Sequence, residues 1–254
     1  MQTNSKIALV TGGSRGLGKN AALSIARKGI DVILTYRTQK EEAEATVAAI
    51  EQIGGRAVAL PLDTSTVNTF DAFAQSVQNA LKDKWNRESF DFLVNNAGIG
   101  IYASFVQTTE EQFDTLYNIH FKGVFFLTQK LLPLLADQGG IINLSTGLAR
   151  FATPGYAAYA SMKGAIETFT KYLAKELGAR GIKANVVAPG AIETDFGGGA
   201  VRDNASLNTF LASATALGRV GVADDIGGVI AFLCTEDARW INAQRIEASG
   251  GMFL

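Results

Sequence analysis

An α/β fold, a parallel sheet wound on both faces by helices, is what the amino-acid sequence predicts, and three observations carry that expectation. Short runs rich in β-branched residues alternate with longer stretches of helical periodicity along the whole chain. A glycine-rich turn separates the first run from the first helical stretch. Gly29, Gly54-Gly55 and Gly178 fall where helices should stop.

In order, the first strand is Ile7-Ala8-Leu9-Val10, which runs into Thr11-Gly12-Gly13-Ser14-Arg15-Gly16-Leu17-Gly18 and a helical pattern through Leu17, Ala21 and Ile25. Strand, glycine turn and helix form the context in which backbone without Cβ atoms admits a pyrophosphate to a helix N-terminus. Further strands are expected at 32–36, 57–60, 92–94, 141–144, 183–187 and 244–247, with helices at 41–53, 67–84, 110–135, 156–177 and 224–233. With no repeat and no low-complexity linker, residues 1–254 are expected to form one domain.

Composition narrows the partners. Lys+Arg of 23 against Asp+Glu of 24 gives a net charge of -1, which does not suit a nucleic-acid partner. No apolar run approaches a membrane span and no signal-peptide core opens the chain, so neither a membrane nor secretion is expected. Cys234, the single cysteine, precludes an intrachain disulfide, suits a cytoplasmic location, and reads as a buried structural thiol. One histidine rules out the usual zinc sites, so no metal is expected.

Tyr159 and Lys163, four residues apart, share one helix face. An unperturbed tyrosine has a pKa of about 10. An ammonium about 4 Å away contributes about 4 kcal/mol at an effective dielectric near 20. That sets an upper bound of about three pKa units of depression, enough to make a working acid.

The motifs fall in a fixed order: the glycine fingerprint, Asp63, Asn95-Asn96-Ala97-Gly98, Tyr159-x-x-x-Lys163, Pro189-Gly190 and Gly250-Gly251. On these the chain resembles the short-chain dehydrogenase/reductase family from about residue 6 to its end. The resemblance implies a seven-stranded Rossmann-type sheet, a nicotinamide cofactor, and interconversion of a ketone and a secondary alcohol. It matches Gly12, Gly16 and Gly18, with Ser14 and Leu17 between them, to the fingerprint. It matches Asp63, beside Thr64, to the adenine contact, although a helix N-cap explains Asp63 equally well. Asn95 then braces the fourth strand and lines the adenosine pocket, and Ala97 and Gly98 give backbone access to the ribose. Pro189, Gly190, Ile192 and Thr194 match the segment holding the nicotinamide carboxamide, and a substrate lid is expected around 191–215.

NAD users of such folds carry an acid at the end of the second strand. Here that position is Tyr36, followed by Arg37 and Thr38, and Arg15 lies inside the glycine loop. NADP(H) is the cofactor expected, because each charge-assisted contact to a 2′-phosphate contributes about 1.5–3 kcal/mol.

The family serine that binds the substrate oxygen lies thirteen residues before the tyrosine, which is Thr146 here, with Ser145 beside it as second choice. Threonine keeps the hydroxyl donor with a stiffer χ1. The family's catalytic asparagine falls at His120, which either holds a water on the proton path, or itself shuttles protons, or is simply a packed helix histidine. The mechanism expected is proton donation by Tyr159, with Thr146 on the oxygen and Lys163 lowering the tyrosine pKa. Leu148, Arg150, Phe151, Tyr156, Phe196 and Phe210 are expected to line a mainly apolar pocket for a small carbonyl or alcohol substrate. Two alternatives stand: a 3-oxoacyl carrier-protein reductase, docking its carrier on Arg150 or Lys175, and a non-catalytic NADP-binding sensor or scaffold. A homotetramer is expected by analogy.

Overall fold

The structure, a computed structural model, describes residues 5–254; residues 1–4 of the expected domain lie outside the described residues. Seven strands form one parallel sheet: β1 (Ile7–Val10), β2 (Asp31–Tyr36), β3 (Ala57–Pro61), β4 (Phe90–Asn95), β5 (Leu135–Leu144), β6 (Lys183–Pro189) and β7 (Arg245–Ala248), in the order β3-β2-β1-β4-β5-β6-β7. The order reverses between β1 and β4, and the carboxyl ends of those strands open the crevice where such sheets bind ligands.

Both faces are covered, so alternate residues of one strand enter different cores. In β1, Ala8 and Val10 pack with α1 (Gly16–Ala26), α2 (Lys40–Gln52) and α9 (Asp224–Leu233). Ile7 and Leu9 pack on the other side with α3 (Phe70–Ala80), α5 (Gly123–Leu131) and α6 (Ala157–Glu176). All four are fully buried, which explains an uninterrupted apolar run where a half-exposed strand would alternate.

The stretch 110–135 departs from the single helix expected. It divides into α4 (Glu110–Tyr117), a π-turn over Asn118–Lys122 and α5, followed by a short 3-10 turn at Leu132–Leu134. Thr109 and Gln112 form a reciprocal capping box that starts α4. The chain leaves helix at Pro133, and β5 already begins at Leu135, six residues before the strand expected. Its register slips where Phe90 pairs Leu135 but Phe92 pairs Gly140, so the intervening residues bulge. Between β6 and α9 the segment 191–215 carries a short turn at Phe196–Gly199, then α7 (Ala200–Asp203) and α8 (Ala205–Ser213). No helix of the described residues is long and apolar enough to cross a membrane.

Candidate active site

The glycine turn leaves β1 with Gly12 and Gly16 at positive φ (66° and 53°). A Cβ on Gly18 would overlap the Gly12 carbonyl oxygen, so the loop closes tightly only with glycine there. No side chain caps the start of α1, whose first N–H groups are left to a ligand. These are the features of a pyrophosphate cradle, and the residues present fit a dinucleotide. Thr11 Oγ1 accepts from the backbone N–H groups of Asn96 and Ala97, both at 3.0 Å, locking the loop after β4 against the glycine turn. The side chain of Asn96 donates to the Thr11 carbonyl at 2.9 Å. Asn96, not singled out from sequence, therefore builds the cradle; its only signal was its place beside Asn95.

Asn95 is buried instead in a polar chain. Its Nδ2 donates to Thr128 Oγ1 at 3.0 Å and Asn143 Oδ1 at 2.8 Å, and Asn143 donates on to Thr170. Asn95 Oδ1 is left without a protein partner. Ser14 is buried, whereas Arg15, Arg37 and Thr38 are exposed and Leu17 and Tyr36 are half-buried, Tyr36 ending β2. Arg15 lies 3.7 Å from Asp195, across from the lid segment. Asp63 turns inward on Ser65, accepting from its N–H at 2.9 Å and its hydroxyl at 2.7 Å. Burial raises its pKa, but the Ser65 bonds and the Arg37 charge outweigh that and hold it below the usual range. The helix-cap explanation gives way here, since Thr66 rather than Asp63 precedes the following turn. The Thr64 carbonyl lies against Gly123.

Thr146 and Ser145 sit just beyond the carboxyl end of β5 and face apart. The Ser145 hydroxyl donates to Glu167 at 2.6 Å, so it is occupied away from Tyr159. Thr146 Oγ1 accepts from Leu148 N at 3.3 Å, and its hydroxyl is close enough to Tyr159 to favour the ionised phenol. Tyr159 and Lys163 are both buried on α6. Lys163 Nζ donates to the Leu144 carbonyl at 2.8 Å and stands 5.8 Å from the Tyr159 ring centroid. The depression of the tyrosine expected from sequence is reversed: burial pushes its pKa up, the Thr146 hydroxyl opposes this, and Tyr156 adds to the rise. Burial also lowers Lys163 to about 8.

His120 lies in the π-turn, 1% exposed, with its ring edge-on to Tyr159 at 5.1 Å. Its Nε2 is 2.7 Å from the Ile99 carbonyl oxygen, while Nδ1 has no partner and a Cβ on Gly98 would press on the ring. Burial, then the Lys163 charge, lower its pKa to about 3 against the Ile99 bond, so the ring is neutral at physiological pH. A neutral ring held in this way acts as a fixed hydrogen-bonding group.

Pro189 ends β6, and Gly190 lies against Ser249 so closely that a Cβ there would meet its Cα at 2.9 Å. Ile192 bridges to Gly221, and Thr194 Oγ1 accepts from Phe196 N at 3.2 Å. Phe196 reaches the Tyr159 ring. Arg150 does not face a carrier: its guanidinium grips Glu247 at 2.8 and 2.9 Å and the Met252 carbonyl at 2.8 Å. Its charge is thus already paired with a carboxylate, although the side chain is exposed.

The family model described as Enoyl-(Acyl carrier protein) reductase matches residues 12–253. The promiscuous reductase LugOII, which catalyses keto-reduction at C1 in lugdunomycin biosynthesis, is 38% identical, with a TM-score of 0.93 and 98% of each chain covered. The landomycin C-6 ketoreductase LanV, solved with NADP and rabelomycin, is 35% identical with a TM-score of 0.89, over 98% of this chain and 96% of that one. The hydroxynaphthalene reductase of Aspergillus fumigatus is 33% identical over 95% of this chain and 90% of that protein. The chain belongs to the short-chain dehydrogenase/reductase family and is an oxidoreductase.

Proposed function

We propose that the protein is an NADPH-dependent ketoreductase that converts a ketone borne on or beside an aromatic ring system to a secondary alcohol. The observation that carries this is Tyr159, buried beside the Thr146 hydroxyl and covered by Phe196 at the carboxyl end of the sheet. Ketoreduction by LugOII and LanV, NADP in LanV, and the named substrate of the Aspergillus relative support the same reading.

Gly12, Ser14, Gly16, Leu17, Gly18, Asp63, Thr64, Asn95, Asn96, Ala97 and Gly98 would hold the adenosine and pyrophosphate. Arg15, Tyr36, Arg37 and Thr38 would hold the 2′-phosphate, with Pro189, Gly190, Ile192 and Thr194 around the nicotinamide. Bound there, NADPH supplies the hydride.

Tyr159 gives its phenolic proton to the carbonyl oxygen. Its raised pKa keeps it in the protonated form at neutral pH, and an alkoxide is a stronger base than a phenolate, so the transfer is downhill as charge develops. Thr146 donates a hydrogen bond to the same oxygen, a contact that strengthens as that charge grows. Lys163 gives one N–H to Leu144 and keeps two donors for the nicotinamide ribose. His120, neutral and fixed through Nε2 against the Ile99 backbone, leaves Nδ1 free to hydrogen-bond a water beside Tyr159. The segment 191–215 acts as the lid, with Phe196 excluding water from Tyr159. The same reading places one domain over residues 1–254 in the cytoplasm as a homotetramer, an assembly that sedimentation as a monomer at micromolar concentration would rule out.

The test is oxidation of NADPH with a panel of tetralone, acetophenone, keto esters and 3-oxoacyl thioesters, against NADH and against Tyr159→Phe. Turnover with aryl ketones that vanishes in the variant supports the reading. Thioester reduction alone would make the protein a 3-oxoacyl reductase, and NADPH binding without any turnover would make it a sensor.

A further inference from the structure

A chain of alternating charges runs behind the site and meets it at the Thr146 backbone and the Ser145 hydroxyl. Arg150, in the loop after β5, forms a two-pronged ion pair with Glu247 on β7. Glu247 Oε2 also accepts from Arg245 Nη1 at 2.7 Å. Arg245 Nε then donates to Glu167 Oε1 of α6 at 2.7 Å, and that same oxygen accepts from the Ser145 hydroxyl. The last guanidinium nitrogen, Arg245 Nη2, donates to the Thr146 carbonyl at 3.0 Å. Arg245, Glu167 and Glu247 side chains are only 23%, 19% and 20% exposed, so screening weakens these bonds less than it would at the open surface.

The three guanidinium nitrogens of Arg245 are thus divided among β7, α6 and the turn that carries Thr146. A guanidinium offers its donors in a rigid planar fork, so the three acceptors are held in one fixed relation. The peptide after Thr146 is pinned at its carbonyl, and the preceding residue, Ser145, is pinned through Glu167. With both sides of the Thr146 backbone fixed and a side chain of stiff χ1, the direction of its hydroxyl is determined.

We infer that Arg245 is a positioning residue for ketone reduction, acting through the Thr146 backbone to aim the Thr146 hydroxyl at the substrate oxygen. This rests on the role given above to Thr146. Arg245 itself touches neither substrate nor nucleotide, and its effect is carried by the transition-state contact of another side chain.

The experiment is a double-mutant cycle on the holoenzyme, with NADPH and the ketone that the wild type reduces fastest in the panel above. Arg245→Met is expected to lower kcat by about tenfold, with KM for the ketone changed far less and the NADPH dissociation constant, read by nucleotide fluorescence, within about twofold. In a Thr146→Val background the same substitution is expected to cost less than about twofold, because the group it aims is gone. Arg245→Lys, which retains the charge but not the fork, is expected to recover part of kcat. It also serves as the cycle's second arm should the methionine variant fail to fold. Losses that multiply across the cycle would overturn the positioning role alone. An unchanged kcat in Thr146→Val would overturn that role together with the role of Thr146.

Discussion

The Phe196 ring lies over Tyr159, with centroids 5.7 Å apart and planes inclined at 55°. A residue of the segment after β6 thus helps dehydrate the phenol whose proton is to be transferred. An aromatic contact of this kind contributes about 0.5–1.5 kcal/mol. Phe196→Ala is expected to raise KM for tetralone by about two- to tenfold and to act less on acetophenone. Because burial is what raises the Tyr159 pKa, admitting water lowers it. The limb on which alcohol oxidation rises with pH, set by ionisation of Tyr159 as the base, then moves to lower pH. Profiles of wild type and variant measured side by side check this, and coincident limbs would refute it.

His120 makes folding sensitive to acid. Its folded pKa of about 3 lies below the unfolded value near 6.5, so between these limits the unfolded chain binds a proton that the native state refuses. Stability falls as pH drops through that window, and this one group accounts for about 2 kcal/mol by pH 5. His120→Asn is expected to flatten the acid limb of a stability curve measured by urea unfolding between pH 7 and 4. An equally steep limb in the variant would show that other groups dominate.

Lys163 works in the opposite range. Its folded pKa of about 8 lies below the unfolded 10.5, so stability rises as pH climbs from 8 to 10.5 and the cost of burying its charge disappears. Lys163→Met should abolish reduction yet raise the melting temperature at pH 7, with the advantage shrinking toward pH 10. Melting curves across that range decide the matter, and an advantage that does not depend on pH would count against a buried ammonium.

Arg15 and Asp195 form an exposed pair at 3.7 Å, and Asp195 also accepts from Arg202 at 2.5 Å. A phosphate at Arg15 must compete with that carboxylate. Asp195→Asn is expected to tighten NADPH binding about two- to fivefold at low salt, the scale of an exposed pair, and to leave NADH unchanged. Titrations with both nucleotides test it; equal effects on the two would break the link to the 2′-phosphate.

The strands were legible because a parallel sheet buries both faces, and runs such as Ile7–Val10 have no other use. The early start of β5 was not. Asp137-Gln138-Gly139-Gly140 carries no β signal and pairs only because Pro133 ends the helix and the bulge absorbs the mismatch with Phe90 and Phe92. The π-turn was invisible for a related reason, since an extra residue within a good helical sequence alters no periodicity strongly enough to be seen. Around the site, Tyr159 and Lys163 were legible from helix spacing, and Thr146 only through the family resemblance. The partners that orient or occupy their neighbours were not. Glu167 and Arg245 stand 78 residues apart, and whether Ser145 or Arg150 is free depends on such tertiary pairings. The tyrosine pKa failed as an expectation because helix spacing brings Lys163 near but says nothing of the burial that pushes the phenol up.

The π-turn between Tyr117 and Gly123 makes chain length itself a functional variable. Removing one residue there would restore regular winding and join α4 to α5 in a single rod, a change that helix energetics alone would favour. It would also rotate everything beyond the cut by about 100°, carrying the His120 side of the turn out of register with Ile99 and Tyr159. Insertions and deletions in these five positions are therefore expected to be far more damaging than substitutions. In comparing this chain with another, a gap misplaced by one residue here would assign the ring packed on Tyr159 to the wrong side chain.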